Sequence, residues 1–217
     1  MKDATLKQAR KILDIFSDTP LEQIQEIISS GLLADLRDGN IAGVSRENFR
    51  RILGLNSLSL LELIGTVNVP ATTKAYVVRD HISELRKKRK MYTGSNFENW
   101  FFDKTVEPIL KSELCYYKLR KGSVDGPIIA ELGGETRAEI TPAEMFSLMK
   151  MQANGEDGAL LTSGYANIFY IRDINGVLRA VGCYWRGGGW LVDAYSLEGP
   201  DVWRDGGRVF SRNSSKT

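Results

Sequence analysis

The sequence predicts an α+β protein, in which a small helical N-terminal module is followed by a mixed domain that ends in a three-stranded antiparallel meander. Two observations carry this prediction. Apolar residues recur at helical spacing over the first 55 residues, and from about Leu60 the period shortens towards the two-residue alternation of strands. The expected boundaries are 1–55 for the helical module, 56–213 for the mixed domain and 214–217 for a disordered tail.

Four short helices are expected in the N-terminal module. The first carries an apolar stripe from Leu6 to Phe16. The second begins at Thr19-Pro20, because Thr19 can cap it and Pro20 fits the first turn, and it stops at Gly31. The third and fourth are expected at 32–36 and 45–53. Each is shorter than the roughly 12–15 residues that an isolated helix needs, so they must pack on other parts of the protein.

The middle of the chain is predicted to contain both strands and helices. Two helices are expected to begin at capping boxes, Ser95–Glu98 and Thr141–Glu144, where the first and fourth residues can satisfy each other's backbone. β-branched and apolar runs predict strands at Leu61–Val69, Lys74–Val78, Leu114–Arg120 and Ile128–Leu132.

Turn residues define the predicted meander. Asn175-Gly176 and Gly187-Gly188 favour tight hairpins, because both central positions of a type I′ turn need positive φ. They separate three expected strands, Asn167–Arg172, Val177–Trp185 and Trp190–Leu197.

The turns also fix a register. In the second hairpin Trp185 is expected to face Trp190, Cys183 to face Val192, and Val181 to face Ala194. In the first hairpin Ile168 is expected to face Cys183 and Tyr170 to face Val181. This register brings Arg172 opposite Arg179, and like charges so placed are destabilising.

One face of this meander supplies the candidate binding residues. Tyr184, Tyr195 and Asp193 share it, and Gly182 lies opposite Asp193. An unpaired carboxylate among aromatic side chains would be costly to bury. Asp193 is therefore either paired with a nearby arginine or part of a functional site, which would allow a hydrolase.

Composition and charge limit the function classes. The net charge is only +2 at pH 7, which excludes a protein-wide basic field of the kind seen in dedicated nucleic-acid binders. The two cysteines form no CxxC motif, which is typical of buried free thiols in a reducing compartment. The sequence has no apolar run of membrane-spanning length and no signal-peptide core, so we expect a cytoplasmic protein.

Positive charge is concentrated in one run of five consecutive residues. The run could contact phosphates, and Tyr92 and Trp100 nearby could stack on bases. The alternative is a solvated connector between a strand and a helix. The five residues are Arg86, Lys87, Lys88, Arg89 and Lys90.

Nucleophilic and metal chemistry lack a matching pattern. A Cys–His pair would require His81 to meet Cys115 or Cys183, with the thiolate activated, usually at a helix start. Neither cysteine is at a predicted helix start. A single histidine without CxxC predicts no metal site, and the glycine pairs lack the spacing of phosphate-binding loops, so no cofactor is expected.

Three segments resemble uncharacterised proteins from the small-genome candidate-phyla bacteria. They are Arg120–Glu135 (RKGSVDGPIIAELGGE), Tyr165–Val181 (YANIFYIRDINGVLRAV) and Arg208–Ser214 (RVFSRNS), and the stretch Ser30–Gly54 resembles the front module of the same group. The resemblance implies a bacterial, intracellular setting. It implies no activity, cofactor or catalytic residue.

The closing part of the chain is also similar to the last strands of papain-like cysteine peptidases, through Val181-Gly182, Trp190–Val192 and Trp203–Gly207. In those enzymes a catalytic histidine opens the first of these strands. Gly176 occupies the nearest position here, so the resemblance implies an inactive relative.

The leading expectation is a non-catalytic intracellular binding or interaction protein, with an unknown protein or small molecule as its partner. It is expected to be a monomer or weak oligomer with neither metal nor cofactor. The alternatives are a nucleic-acid-associated protein that uses residues 86–90, and a hydrolase, which could be the inactive papain-like relative, with its site near Asp193.

Overall fold

A computed structural model describes residues 20–31, 34, 38–39, 59–88, 90–199 and 202–213. The chain divides into two units, Met1–Leu58 and Ser59–Thr217. The predicted helices at 6–16 and 45–53, most of that at 32–36, and the predicted tail at 214–217 lie outside the described residues.

The described part of the first unit includes helix α1 (Leu21–Ser29). The predicted start is one residue too early: Pro20 is the N-cap residue rather than part of the first turn, and Ile24 N donates to Pro20 O at 3.1 Å. Gly31 follows with φ 73°, the left-handed conformation expected of a glycine that stops a helix.

The second unit contains both helices and strands, as the α+β prediction requires. No described helix in either unit has the length and apolar character needed to cross a membrane. The helices are α2 (Val78–Lys87), α3 (Ser95–Phe101), α4 (Asp125–Leu132), α5 (Glu135–Ala138) and α6 (Pro142–Met151). The strands are β1 (Leu61–Val69), β2 (Tyr76–Val77), β3 (Met91–Thr93), β4 (Thr105–Val106), β5 (Ser112–Leu119), β6 (Asn167–Arg172), β7 (Leu178–Arg186), β8 (Gly189–Ser196) and β9 (Arg208–Arg212).

Seven of these strands form one mixed sheet in the order β1-β5-β9-β6-β7-β8-β3, and β2 pairs with β4 in a separate sheet. Most neighbours are antiparallel, whereas β6–β9 and β3–β8 are parallel. The strands of the predicted meander therefore belong to a larger sheet. The domain does not end with them, because β9 follows and inserts between β5 and β6.

The register of the β7–β8 hairpin is confirmed. Trp185 lies opposite Trp190, Cys183 opposite Val192, and Val181 opposite Ala194. Gly187 and Gly188 form a two-residue turn with φ values of 59° and 82°, the positive values that a type I′ turn requires.

The predicted register of the β6–β7 hairpin is wrong by one residue. Ile168 lies opposite Gly182 rather than Cys183, and Tyr170 lies opposite Ala180 rather than Val181. The loop has three residues, closed by Asp173 N donating to Val177 O at 2.9 Å, with Gly176 left-handed at φ 76°.

The side chain of Asp173 explains the longer loop. Its Oδ1 accepts from the backbone N–H groups of Asn175 at 2.8 Å and Val177 at 2.9 Å, which stabilises a three-residue turn ending in a left-handed glycine. An Asn-Gly pair alone does not reveal this competing arrangement.

The shift moves the side chains of β6 to the opposite faces of the sheet. Phe169 and Ile171 join the core that contains Cys183, and Ile168 and Tyr170 join the other core. A single register error inverts every side chain of a strand. The predicted contact between two arginines also disappears: Arg172 pairs with Glu135 and Glu139, and Arg179 pairs with buried Asp173.

The sheet separates two apolar cores. The core that contains Phe169 also takes side chains from α2, α3 and α6. The core that contains Ile168 takes side chains from α4 and α5. Because β6 contributes to both, it is buried on both faces, as a strand covered by helices on each side must be.

Two other expectations about local structure are wrong. Ile128–Leu132 is not a strand but the second half of α4, which has Asp125 and Pro127 in its first turn and ends at Gly133 with φ 97°. A short apolar run does not distinguish a buried strand from a buried helix. Within Lys74–Val78 only Tyr76–Val77 is a strand, and Val78 already begins α2.

The two predicted capping boxes have different outcomes. Thr141 and Glu144 cap α6 reciprocally, which confirms that box. Helix α3 instead has Gly94 at its cap position and no side-chain cap. The box at Ser95–Glu98 does not form, because the Glu98 carboxylate bonds to Thr93 and Arg86.

Candidate functional site

The two candidate tyrosines lie close together over one face of the β7–β8 hairpin. Tyr184 is on β7 and Tyr195 on β8, and their side chains share a hydrogen bond. Burial raises the pKa of Tyr184 above its ordinary value, and the contact with Tyr195 acts in the same direction. The hydroxyl of Tyr184, like that of any tyrosine, is protonated at neutral pH.

Gly182 leaves the space in which these aromatic side chains pack. A Cβ atom at this position would lie 2.9 Å from Tyr184 Oη and 3.2 Å from Trp203 Cη2. The ring of Tyr184 therefore folds back along its own strand over Gly182. The glycine accommodates Tyr184 and Trp203, and it pairs with Asp193 across the strands, as the sequence predicts.

Trp203 forms part of the same aromatic surface. It packs edge-to-face on Tyr195, with 5.2 Å between ring centroids. Its backbone forms a bridge with Ser123, and its indole N–H donates to Asp125 Oδ1 at 2.7 Å. The hydroxyl of Tyr170 donates to the same oxygen at 2.9 Å. Trp203 is thus positioned by a buried carboxylate at the start of α4.

These aromatic side chains line a cavity of about 740 Å³, which we call the aromatic pocket. Its wall is formed by residues 163–166, by three side chains of the hairpin, and by residues 202–205. The hairpin residues are Tyr184, Arg186 and Tyr195. The volume lies within the roughly 300–1,000 Å³ of small-molecule sites.

The pairing of β6 with β9 explains why the pocket lies here. The strands are parallel, with Asn167 beside Arg208, so the segments that precede them reach the sheet side by side. Asn167 is fully buried and fixes the first segment, bonding through its side chain to Leu161 N at 2.7 Å and Cys183 O at 3.1 Å.

A close contact joins the two pocket segments. Gly206 is left-handed at φ 82°, and a Cβ atom there would lie 3.0 Å from Tyr165 Cε1. The ring of Tyr165 therefore packs against the glycine, while 51% of Tyr165 remains exposed. An aromatic ring is thus held in place and still accessible to a ligand.

The charged groups of the pocket are mostly positive. Arg186 places its guanidinium 5.6 Å from the centroid of the Tyr184 ring, and Arg204 lies in the second segment. Neither arginine takes part in an ion pair with another described residue. Asp205 is the one carboxylate among the described residues that line the pocket.

Asp193, the third candidate, does not line the pocket. Its carboxylate lies against Gly94 at the start of α3, and Oδ1 accepts from the backbone of Ala194 at 2.8 Å. The structure thus brings Tyr184 and Tyr195 together with Trp203, whereas Asp193 lies outside the lining but near enough for its charge to raise the pKa of Tyr184.

The basic run lies at the end of α2, where most of its side chains have partners. Arg86 contacts Glu98 and Thr93, Lys87 pairs with Glu84 at 2.7 Å, and Lys90 bonds to Asn154 at 3.0 Å. Lys88 is the exposed residue that follows the helix, and Arg89 lies outside the described residues.

His81 and the cysteines belong to the core and its edge. The His81 ring lies between Tyr76 and Phe146, with centroid distances of 4.9 and 4.8 Å. Burial lowers the pKa of His81, and nearby Lys150 lowers it further.

Cys115 and Cys183 are buried free thiols, and burial raises the pKa of Cys183. No cluster of three or more potential metal ligands occurs among the residues described.

No family model, curated protein or solved structure matches this chain significantly. The site must therefore be interpreted from its own geometry.

Sequence reasoning missed Trp203, Tyr165 and Arg186 as pocket residues. The first two lie in irregular segments, which carry no periodic pattern.

Proposed function

We propose that this protein binds a small organic ligand in the aromatic pocket. The single observation that carries the proposal is the grouping of Tyr165, Tyr184, Tyr195 and Trp203 around one cavity of about 740 Å³. Aromatic residues supply large contact areas, and the phenol hydroxyls supply directional hydrogen bonds.

Binding is favoured over catalysis by the chemistry of the lining. Neither histidine nor cysteine is among the described lining residues, and Ser163 is the aliphatic hydroxyl there. Activation of a serine requires an adjacent base. The single histidine of the sequence, His81, lies on α2, where it packs against the rings of Tyr76 and Phe146. We therefore propose a non-catalytic role.

The contacts of the basic run give less support to nucleic-acid binding. Arg86 joins α2 to α3 through Glu98, and Lys87 and Lys90 also have side-chain partners. Phosphate binding would have to compete with these contacts. The chemistry near Asp193 gives no support to a hydrolase, because its carboxylate is directed at backbone.

The cellular setting is a further part of the proposal. Two buried free thiols are typical of a reducing compartment, and the resemblance of three segments implies a bacterium. We propose a cytoplasmic protein that is monomeric or weakly associated. Light scattering after size exclusion tests the oligomeric state.

A ligand screen with a blocking variant tests the main proposal. Thermal shifts are measured with neutral aromatic, anionic aromatic, cationic aromatic and saccharide ligands. The variant Ser163→Trp places a large ring in the lining, and Ser83→Trp, on the exposed side of α2, is the matched control. We expect at least one class to stabilise the parent and Ser83→Trp but not Ser163→Trp. Equal stabilisation of all three proteins, or of none, would refute the proposed function.

A further inference from the structure

We infer that the ligand of the aromatic pocket is a heteroaromatic ring that carries a phosphate group, as in a nucleoside monophosphate. This inference rests on the proposed function and narrows it to one chemical class. It follows from three features of the pocket: an accessible ring, two arginines that form no ion pair with a described residue, and hydroxyl groups in the same lining.

The accessible ring is Tyr165. It is half exposed, and contact with Gly206 holds it in place, so a ligand ring can stack on it without ordering a mobile side chain. Trp203, in contrast, is 8% exposed and contributes mainly as a wall beside Tyr195. Stacking of a base on an aromatic side chain contributes about 1–3 kcal/mol.

The two arginines indicate a negatively charged ligand. Arg186 and Arg204 come from different segments of the pocket, and the ion pairs among the described residues include neither of them. A guanidinium group binds phosphate and carboxylate through paired N–H donors. Two guanidinium groups that line one pocket favour phosphate, which has acceptor oxygens on several sides.

The remaining polar groups suit a heteroaromatic ring better than a saccharide. Tyr184 and Ser163 offer hydroxyls, which can bond to ring nitrogens or carbonyl oxygens. The described lining contains neither Asn, Gln nor Glu, and Asp205 is its one carboxylate. Apart from hydroxyl oxygens, Asp205 is therefore the one side-chain acceptor that the described lining offers to the hydroxyl groups of a saccharide.

Titration with three related probes tests the inference. Adenosine monophosphate has both the ring and the phosphate, adenosine has only the ring, and ribose 5-phosphate has only the phosphate. Binding is followed by the indole N–H resonance of Trp203 in low-salt buffer. We expect adenosine monophosphate to bind at least tenfold more tightly than either of the other probes, and more weakly as salt is added.

Two arginine variants separate a pocket effect from a general effect of charge. Arg186→Gln should weaken binding of adenosine monophosphate at least tenfold while changing adenosine binding less than twofold. Arg79→Gln, a matched control at an exposed ion pair with Asp103, should behave as the parent. A 5′-phosphorylated dinucleotide is compared with adenosine monophosphate to identify the source of the phosphate. A free nucleotide as the ligand predicts tighter binding of the monophosphate, and a strand end predicts tighter binding of the dinucleotide.

The outcomes distinguish this inference from the proposed function. If adenosine binds as tightly as its monophosphate, or if Arg186→Gln has no effect, the phosphate class is wrong. If another ligand class binds and Ser163→Trp blocks it, the pocket remains a binding site and only the assignment of a phosphate-bearing ligand is wrong. If no ligand binds in the pocket, that assignment and the proposed function are both wrong.

Discussion

The indole N–H of Trp203 and the carboxylate of Asp125 are joined by a hydrogen bond of 2.7 Å, and the hydroxyl of Tyr170 donates to the same oxygen. Both Asp125 and Tyr170 are buried, and Trp203 is nearly so. A wall of the aromatic pocket is therefore attached to the interior of the protein beneath it.

The variant Asp125→Ala should be strongly destabilised. It leaves two buried donors without their acceptor, at a cost of about 1–3 kcal/mol for each. Asp125→Asn retains an acceptor oxygen and should lose less. Urea unfolding measures the stability, with exposed Asp157→Ala as the control. The indole N–H resonance of Trp203 should move in Asp125→Ala, and an unchanged resonance would contradict the role given to this carboxylate.

Gly182→Ala should displace two side chains that line the pocket, Tyr184 and Trp203. The added methyl group would lie 2.9 Å from Tyr184 Oη and 3.2 Å from Trp203 Cη2, so both side chains must shift. We expect a loss of about 1–3 kcal/mol in the free energy of unfolding, together with weaker ligand binding. The control is Gly126→Ala in α4, where a Cβ meets nothing within 4 Å and alanine favours the helix. Equal effects of the two substitutions would argue against this packing.

The β6–β7 turn should respond to substitution of Gly176 but not of Asn175. Gly176 has φ 76°, where a Cβ costs about 1–2 kcal/mol. Asn175 takes part through its backbone N–H, so Asn175→Ala should change stability by less than about 0.5 kcal/mol. Chemical denaturation of both variants gives the comparison. Similar losses at both positions would instead indicate a two-residue turn.

The stability of the protein should fall below neutral pH because of His81. Its folded pKa lies below the unfolded value of 6.5, so the unfolded state binds the proton first as the pH decreases. The stability that neutral His81 contributes is complete above about pH 6.5, and it is lost as the pH falls through the folded pKa. The chain has a single histidine, so His81→Gln isolates the effect. The stability difference between parent and variant should change between pH 7.5 and pH 5; a constant difference would contradict the prediction.

Simultaneous substitution of residues 86–90 by Gln should leave the binding of the pocket probes unchanged, because none of the four described residues of this run lines the aromatic pocket. Retention of single-stranded RNA at 0.15 M salt should be equally weak for parent and variant, by fluorescence anisotropy. Tight binding by the parent that the variant loses would support the nucleic-acid alternative.

Local chemistry made part of the fold predictable. Two glycines at 187–188 suffice to fix the β7–β8 register, because the positive φ values they permit determine the turn. The same logic failed one hairpin earlier, since the Asp173 side chain stabilises a turn with one more residue. Turn residues predict a hairpin well, but a competing side-chain contact can change its register.

Long-range pairings could not be predicted. The insertion of β9 between β5 and β6, and the parallel contact of β3 with β8, depend on contacts between distant segments that leave no periodic signal. The pocket shares this property. Alternation along β7 and β8 identified Tyr184 and Tyr195, but Trp203 and Tyr165 are brought to them only by the β6–β9 pairing.

The position of β9 has a consequence for biosynthesis. Because residues 208–212 occupy the middle of the sheet, the strands on either side cannot join until this late segment has left the ribosome. A nascent or prematurely terminated chain exposes the facing edges of β5 and β6, and such unpaired edges are prone to aggregation. This protein should therefore depend on chaperones during translation, and fragments that stop before Arg208 should be removed by proteases.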